Sequence, residues 1–287
     1  MELEKIEKIR NTLTQAAKLI ERIEGKRESK FLSFIVISPI RMSTAYKLNK
    51  LMRKIGIVDQ LDIMIESGGG DLDSTAKIVK ILKERSRKIV AVVPFAAKSA
   101  ASYLALCCDK ILFCRSGELG PVDPIVKHPT ANIWIPAHSI EEAIKFLESI
   151  KDPFVKLTMA DKLDPLLMGA YQEAIRETEQ YLEEAFEKLG TEKQKEAIST
   201  FTTKYRSHGY PIDRNQCRDL GLCVEEPDED LEEMLMKLHE LYIDLFLDLK
   251  DEGFMILQLK NDFVVEVGGE DLTKNLKGVL TISESED

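Results

Sequence analysis

The sequence predicts an α/β protein whose core is a parallel sheet of stacked βαβ units, with a helix ahead of it and a helix plus hairpin behind it. Residues 61–65 and 89–93 are short apolar runs, and between them residues 71–83 repeat apolar side chains at helical spacing. That strand, helix, strand order is the βαβ unit, whose ligand sites lie at the carboxyl ends of the strands. A glycine-rich stretch, Glu66-Ser67-Gly68-Gly69-Gly70-Asp71, stands at the first such end. With 287 residues, 44% of them hydrophobic, the chain can bury one large α/β core and carry a smaller appendage.

From the N-terminus, residues 1–28 read as a helix with Ile6, Ile9, Leu13, Ala17 and Ile20 on one face. Residues 31–37 form the first strand and 44–55 a helix. The βαβ unit follows, then a helix opening after Ser99 and running through Tyr103, Leu104 and Leu106, then a strand over 110–114. Pro121, Pro124, Pro129 and Pro136 mark an irregular, extended region suited to line a substrate groove. Residues 140–189 have a helical pattern, broken at Lys151-Asp152-Pro153, and are placed to supply oligomer contacts. After Val224 comes an acidic linker, then a helix with Leu231, Met234, Leu238, Leu241 and Leu245 on its apolar face. Residues 254–259 and 263–267 read as a β-hairpin around Lys260-Asn261-Asp262, Gly268-Gly269 as a turn, and 283–287 as a disordered tail. The expected divisions are an N-terminal amphipathic helix over 1–30, a central domain over 31–224 and an appendage over 225–287. Such an appendage cannot bury its own apolar face, so it packs on the chain's core or on another subunit.

Gly69 and Gly70 follow one strand and Ser99 follows the next, so the two can face one another. Glycine lets the backbone take positive φ and turn N–H groups outward without a side chain in the way. The N–H of Ala100 opens a helix, where negative charge is favoured. A backbone N–H of Gly69 or Gly70 together with that of Ala100 makes a workable oxyanion hole for acyl transfer. The plain structural alternative is that the glycines only reverse the chain and the small residues only let a helix pack closely.

The runs Val93-Pro94-Phe95-Ala96-Ala97-Lys98-Ser99-Ala100-Ala101-Ser102-Tyr103-Leu104-Ala105-Leu106, Asp109-Lys110-Ile111 and Leu119-Gly120-Pro121-Val122-Asp123-Pro124 resemble the serine dehydrogenase proteinase family. That family is similar to signal peptide peptidase A and to the proteolytic subunit of the Clp protease, and the resemblance covers residues 31–224. It implies a Clp/crotonase-like fold, a serine peptidase domain over 31–224, and an oligomer built of copies of this chain. Carried over by position, Ser99 is the nucleophile and Gly69 and Gly70 are the oxyanion glycines. Arg206-Ser207-His208-Gly209-Tyr210-Pro211-Ile212 resembles the family's His-Asp-Tyr-Pro stretch, which makes His208 the preferred general base and Asp123 the candidate orienting acid. Serine needs both, because its hydroxyl is a weak nucleophile until a base takes the proton, and a carboxylate fixes the tautomer of that base.

This chain departs from the family pattern in four places. Gly68 replaces a proline, Ala100-Ala101 a Gly-Gly pair, Gly209 an acidic residue, and Phe95 stands where relatives carry histidine. Two other bases stay open: His128, which follows Asp123 closely, and a lysine among Lys98, Lys145, Lys151 and Lys156, as signal peptide peptidase relatives use. A lysine base must be desolvated or crowded by other cations. Otherwise these lysines, with His138 and His239, read as solvated surface residues.

A net charge of −10 argues against a general nucleic-acid binder. No run reaches the roughly 18 apolar residues of a membrane span, and Met1-Glu2-Leu3-Glu4-Lys5 lacks the apolar core of a signal peptide. Five cysteines, with Cys107 and Cys108 adjacent, fit neither a disulfide framework nor a zinc pattern, so a reducing cytoplasm is expected, with no cofactor and no metal. The expected function is a cytoplasmic serine peptidase acting on peptides or unfolded segments through an acyl-enzyme on Ser99. The alternatives are a non-catalytic oligomeric scaffold that binds a partner, and a crotonase-type acyl-CoA enzyme, against which Ser99 at the strand end speaks.

Overall fold

The structure, a computed structural model, describes residues 2–127, 133–250 and 253–276. His128, Pro129 and the tail at 283–287 lie outside the described residues. In chain order the elements are α1 (Glu2–Arg27), β1 (Lys30–Val36), α2 (Met42–Met52), β2 (Val58–Ser67), α3 (Leu72–Lys83), β3 (Ser86–Val93), β4 (Ala96–Ala97), α4 (Ala100–Leu106), β5 (Lys110–Phe113) and β6 (Glu118–Leu119). They continue with β7 (Ile125–Lys127), β8 (Trp134–Pro136), α5 (Ser139–Ser149), α6 (Pro153–Ala160), α7 (Pro165–Ala185) and α8 (Thr191–Thr202). The last are α9 (Arg214–Asp219), β9 (Val224–Glu225), α10 (Glu229–Leu249), β10 (Met255–Leu259), β11 (Asp262–Val267) and β12 (Glu270–Asp271). The chain divides into two compact units, Met1–Gly120 with Pro211–Asp287, and Pro121–Tyr210.

In the first unit one sheet runs β12-β11-β10-β1-β2-β3-β5-β9, with β4 paired to β2 and β6. The pairs β1–β2, β2–β3, β3–β5 and β5–β9 are parallel, as the βαβ reading requires, while β10 adds antiparallel to β1. Successive side chains of a strand alternate between faces. Phe31 and Ile35 of β1, Met64 of β2, and Val90 and Val92 of β3 accordingly meet one layer, made of Ile9, Leu13, Ala16, Ile20 and Ile23 of α1 and Leu231, Leu235, Leu238, Tyr242 and Leu245 of α10. Lys26 pairs with Asp228 and Asp230 at 2.8 and 2.7 Å, and Lys8 with Asp248, so α1 and α10 run antiparallel.

The expected divisions at 30 and 224 therefore do not coincide with the structural units. α1 and α10 each carry an apolar stripe too narrow to stand alone, and together they cover one face of the sheet. The expected hairpin exists, and its β10 extends the sheet by pairing with β1. The segment over 121–210, expected within the central domain, is compact by itself.

β2 extends beyond the run at 61–65 at both ends, and a charged residue inside that run is buried with partners. Asp62, 0% exposed, accepts from Arg27 Nε at 2.7 Å and from Gln60 Nε2 at 2.8 Å. Farther along the same layer, Tyr242 Oη lies 2.9 Å from Gln258 Oε1 and 3.1 Å from Ser33 Oγ. Strands covered on both faces still accept polar residues when each is hydrogen-bonded.

In the second unit β7 and β8 form an antiparallel hairpin in the region expected to be irregular, with Ile125 opposite Pro136 and Lys127 opposite Trp134. Ala137, Ile140 and Tyr171 form a small core with Val126, Ile144, Leu167, Met168 and Ile175. The expected helix break at Asp152-Pro153 is present, and a second falls at Asp164-Pro165. In both, the aspartate caps the next helix and proline takes its first position. α6 buries none of its side chains, leaving Phe154 at 78% and Leu157 at 71% exposure.

Candidate active site

Ser99 sits between β4 and α4 with φ 52° and ψ −124°. A residue with a Cβ reaches that conformation only at a cost of about 1–3 kcal/mol, so its surroundings must hold it there. They do so by backbone bonds: Lys98 N donates to Ser67 O (3.0 Å), Ala101 N to Lys98 O (2.9 Å) and Tyr103 N to Ser99 O (3.1 Å). β4 is wedged between β2 and β6, with Ala97 beside both Ser67 and Leu119. Ser102, fully buried, donates from Oγ to Ala97 O at 2.6 Å and accepts from Gly120 N at 2.9 Å. It braces the elbow to Gly120, a role that spacing alone did not reveal.

The glycine loop lies against this elbow. Gly69 takes φ 100°, and a Cβ there would stand 2.8 Å from Ser99 Cβ and 2.9 Å from Ala100 N. Gly70 takes φ 150°, and its Cβ would stand 2.2 Å from Ile40 N. Ile40 clasps the loop from the other side, since Ile40 N donates to Gly69 O (2.8 Å) and Asp71 N to Ile40 O (2.9 Å). Gly69 N donates to Ser67 Oγ at 3.1 Å, whereas the N–H groups of Gly70 and Ala100 have no partner among the described residues. Of the expected oxyanion donors, Gly70 and Ala100 are therefore the two with amides to offer, and Gly69 supplies the close approach.

These contacts separate the glycines by what an added methyl meets. Gly70→Ala is expected to destabilise the fold by about 2–4 kcal/mol, because backbone atoms of Ile40 cannot step aside. Gly68→Ala meets nothing within 4 Å at a φ outside the left-handed region, and should be neutral or stabilising by up to about 1 kcal/mol. Urea unfolding of both variants checks the contrast.

Two buried groups beside the elbow were not foreseen. Glu66 Oε2 accepts from Ala96 N at 3.1 Å and meets His239 Nε2 at 2.9 Å, and His239 stacks on Phe95 with ring centroids 6.1 Å apart. The expectation that His239 is a surface residue is thus corrected. It follows Leu235 by one helical turn and precedes Tyr242 by another, which places it in the buried stripe of α10. His239→Leu removes one partner of a buried carboxylate and should cost about 1–3 kcal/mol in denaturant unfolding.

In the second unit, His208 Nδ1 lies 2.7 Å from Asp123 Oδ1, and Asp123 is 2% exposed. A carboxylate can only accept here, so Nδ1 carries the proton and Nε2 is left to take one. Val122 N donates to Phe201 O at 2.6 Å, which sets the segment carrying Asp123 beside the end of α8, and the rings of Tyr205 and Tyr210 stack at 3.7 Å on either side of His208 in sequence. His138, expected at the surface, instead places Nδ1 in the interior, 3.9 Å from Asp123 Oδ2.

The candidate lysines are either engaged by other groups or exposed. Lys98 pairs with Glu118 and its Nζ donates to Leu119 O at 3.1 Å. Lys145 bonds Glu142 at 2.9 Å, which raises its pKa above the ordinary value, the wrong direction for a base. Lys156, half-buried, donates to Glu148 O at 3.2 Å, and Lys151 is exposed. His128 lies outside the described residues. Among the described residues no cluster of His, Cys, Asp and Glu is suited to a metal ion, and no helix is long and apolar enough to cross a membrane.

None of the five cysteines is in a disulfide. Burial pushes the Cys114 and Cys217 thiols up to about 12 and that of Cys108 well above its ordinary value. Since the thiolate is the reactive form, exposed Cys223 should be alkylated first at neutral pH, as peptide mapping after brief iodoacetamide treatment would show.

The profile of the ClpP-like SDH-type serine proteinases matches residues 2–258 of this chain. The match runs beyond the expected limits of 31–224, taking in α1, α10 and the start of the C-terminal hairpin. Two uncharacterized proteins of Methanocaldococcus jannaschii, MJ1495 and MJ0137, are each 26% identical to it, over 234 and 238 residues. Each alignment covers 78% of this chain, with 74% and 77% of the respective relative. Among solved structures, a 1510-N membrane-bound stomatin-specific protease in complex with a substrate peptide aligns with 14% identity and a TM-score of 0.46, over 86% of this chain and 88% of that one. ClpP1 from Listeria monocytogenes aligns with 16% identity and a TM-score of 0.40, over 69% and 94%. The chain belongs to the ClpP-like SDH-type serine proteinase family, and its parallel βαβ units are those of that Clp/crotonase-like fold.

Proposed function

From that membership we propose that the chain is a serine endopeptidase that hydrolyses peptides or unfolded protein segments through an acyl-enzyme on Ser99. The observation that carries the reading is the strained Ser99 elbow, braced on every side and set against a glycine loop with a free amide. Strain kept in this way clusters at sites where it serves a mechanism.

In this reading Ser99 Oγ attacks the scissile carbonyl carbon while His208 Nε2 takes the hydroxyl proton. Asp123 holds the imidazole by its Nδ1–H and stabilises the cation that forms. The amides of Gly70 and Ala100 receive the oxyanion, with Gly69 letting the loop approach. Collapse of the tetrahedral intermediate expels the amine, which takes its proton from His208. Water, activated by the same histidine, then releases the acyl group. No step calls for a metal or cofactor.

We place the protein in a reducing cytoplasm, in keeping with five cysteines that form no disulfide, and assign it an oligomer of identical chains. The exposed apolar side chains of α6 support the assembly, since contiguous apolar surface of this kind marks interaction sites. Light scattering should show an assembly that Phe154→Asp with Leu157→Asp dissociates. The function itself is tested with a labelled unfolded protein such as casein: the wild type should fragment it and Ser99→Ala should not. Equal fragmentation by both would overturn the reading, and a wild type that binds casein without cutting it would leave the scaffold.

A further inference from the structure

Only one oxygen of the Asp123 carboxylate is accounted for by His208. Among the described residues Oδ2 is buried without a hydrogen-bond partner, and so is Nδ1 of His138, 3.9 Å away. Buried polar atoms are nearly always paired, so two orphans facing each other at this distance ask for an explanation.

The hairpin explains why they meet. β7 and β8 set Ile125 opposite Pro136, and Ala137 N donates to Pro124 O at 2.8 Å. Asp123 and His138 each lie one residue beyond that Pro124–Ala137 bond, His138 where the chain turns into α5. His138 also stands at the N-cap position of α5, without a side-chain capping bond, where strand gives way to helix.

We infer that His138 is a positioning residue for the orienting carboxylate, its Nδ1–H closing on Asp123 Oδ2 while His208 holds Oδ1. The inference rests on the reading of Asp123 and His208 as acid and base. The separation exceeds a hydrogen bond by about 1 Å, which a turn of the imidazole about its side-chain torsions closes. A carboxylate bound by one oxygen swings freely, because the terminal torsion of aspartate is broad. Bound by both, it has a fixed plane, and the plane sets the direction of the His208 ring. His138 transfers no proton and touches no substrate.

The test uses the full chain with His138→Ala and His138→Asn. An asparagine amide nitrogen takes the place of Nδ1 without restoring the ring. His138→Ala should slow phosphonylation of Ser99 by a fluorophosphonate about tenfold, the worth of one hydrogen bond to a charged group, with half-saturation unchanged. His138→Asn should recover most of that rate. In nitrogen-15 NMR the His208 Nδ1–H resonance should move in His138→Ala and return towards its original place in His138→Asn. An unmoved resonance in His138→Ala, or a His138→Asn as impaired as His138→Ala, overturns the inference. A wild type that is not phosphonylated defeats the peptidase reading instead, and the His208 resonance still decides the role of His138.

Discussion

Ser99→Gly is expected to end peptide hydrolysis and, in the same protein, to raise resistance to denaturant. At φ 52° and ψ −124° a serine costs about 1–3 kcal/mol, which glycine does not incur. Against this stands the greater freedom of glycine in the unfolded chain, about 0.4–1 kcal/mol, leaving a net gain of about 1 kcal/mol. Ser99→Ala keeps the Cβ and the strain, so its stability should match the wild type within about 0.5 kcal/mol. Both variants lack the attacking oxygen and should lose at least about a thousandfold in kcat/KM. Urea unfolding beside a peptide-cleavage assay checks both halves. A Ser99→Gly less stable than Ser99→Ala would mean that the elbow stores no strain, removing the main support for a catalytic role.

Asp123→Asn should lower kcat by about ten-thousandfold, the scale set when an orienting aspartate loses its charge. Asp123 is nearly inaccessible, so water cannot replace the lost acceptor for His208 Nδ1. The amide can turn its NH2 towards the ring, fixing the wrong tautomer and leaving Nε2 protonated where a base is required. Substrate contacts are untouched, so KM should hold while kcat falls. A variant retaining more than about a tenth of wild-type kcat, a deficit of only about 1.4 kcal/mol, would remove Asp123 from the mechanism.

The parallel core was legible because it rests on local patterns. Apolar runs at 61–65 and 89–93 flank a stretch of helical spacing, and small residues around Ser99 signal close packing of α4. Asp71, which caps α3 by accepting from Ser74 N at 2.7 Å, marks the loop's end. What escaped depends on partners distant in sequence. Gln60 and Glu66 disguised the length of β2, since a buried polar group looks exposed until its partner, Asp62 or His239, is set beside it. The hairpin joining Asp123 to His138 was hidden by Pro124 and Pro136, residues that argue against strand except at sheet edges. The pairing of β10 with β1 is a long-range choice that no local pattern encodes. The Asp123 and His208 pair came from family resemblance, for the two are 85 residues apart.

The most direct measurement is peptide mapping of the wild-type chain after a fluorophosphonate, with Ser99→Ala and His208→Ala treated alongside. The account predicts one phosphonyl adduct, on the peptide containing Ser99, absent from Ser99→Ala and lost from His208→Ala. An adduct on another residue, or an unmodified wild-type assembly, would contradict it.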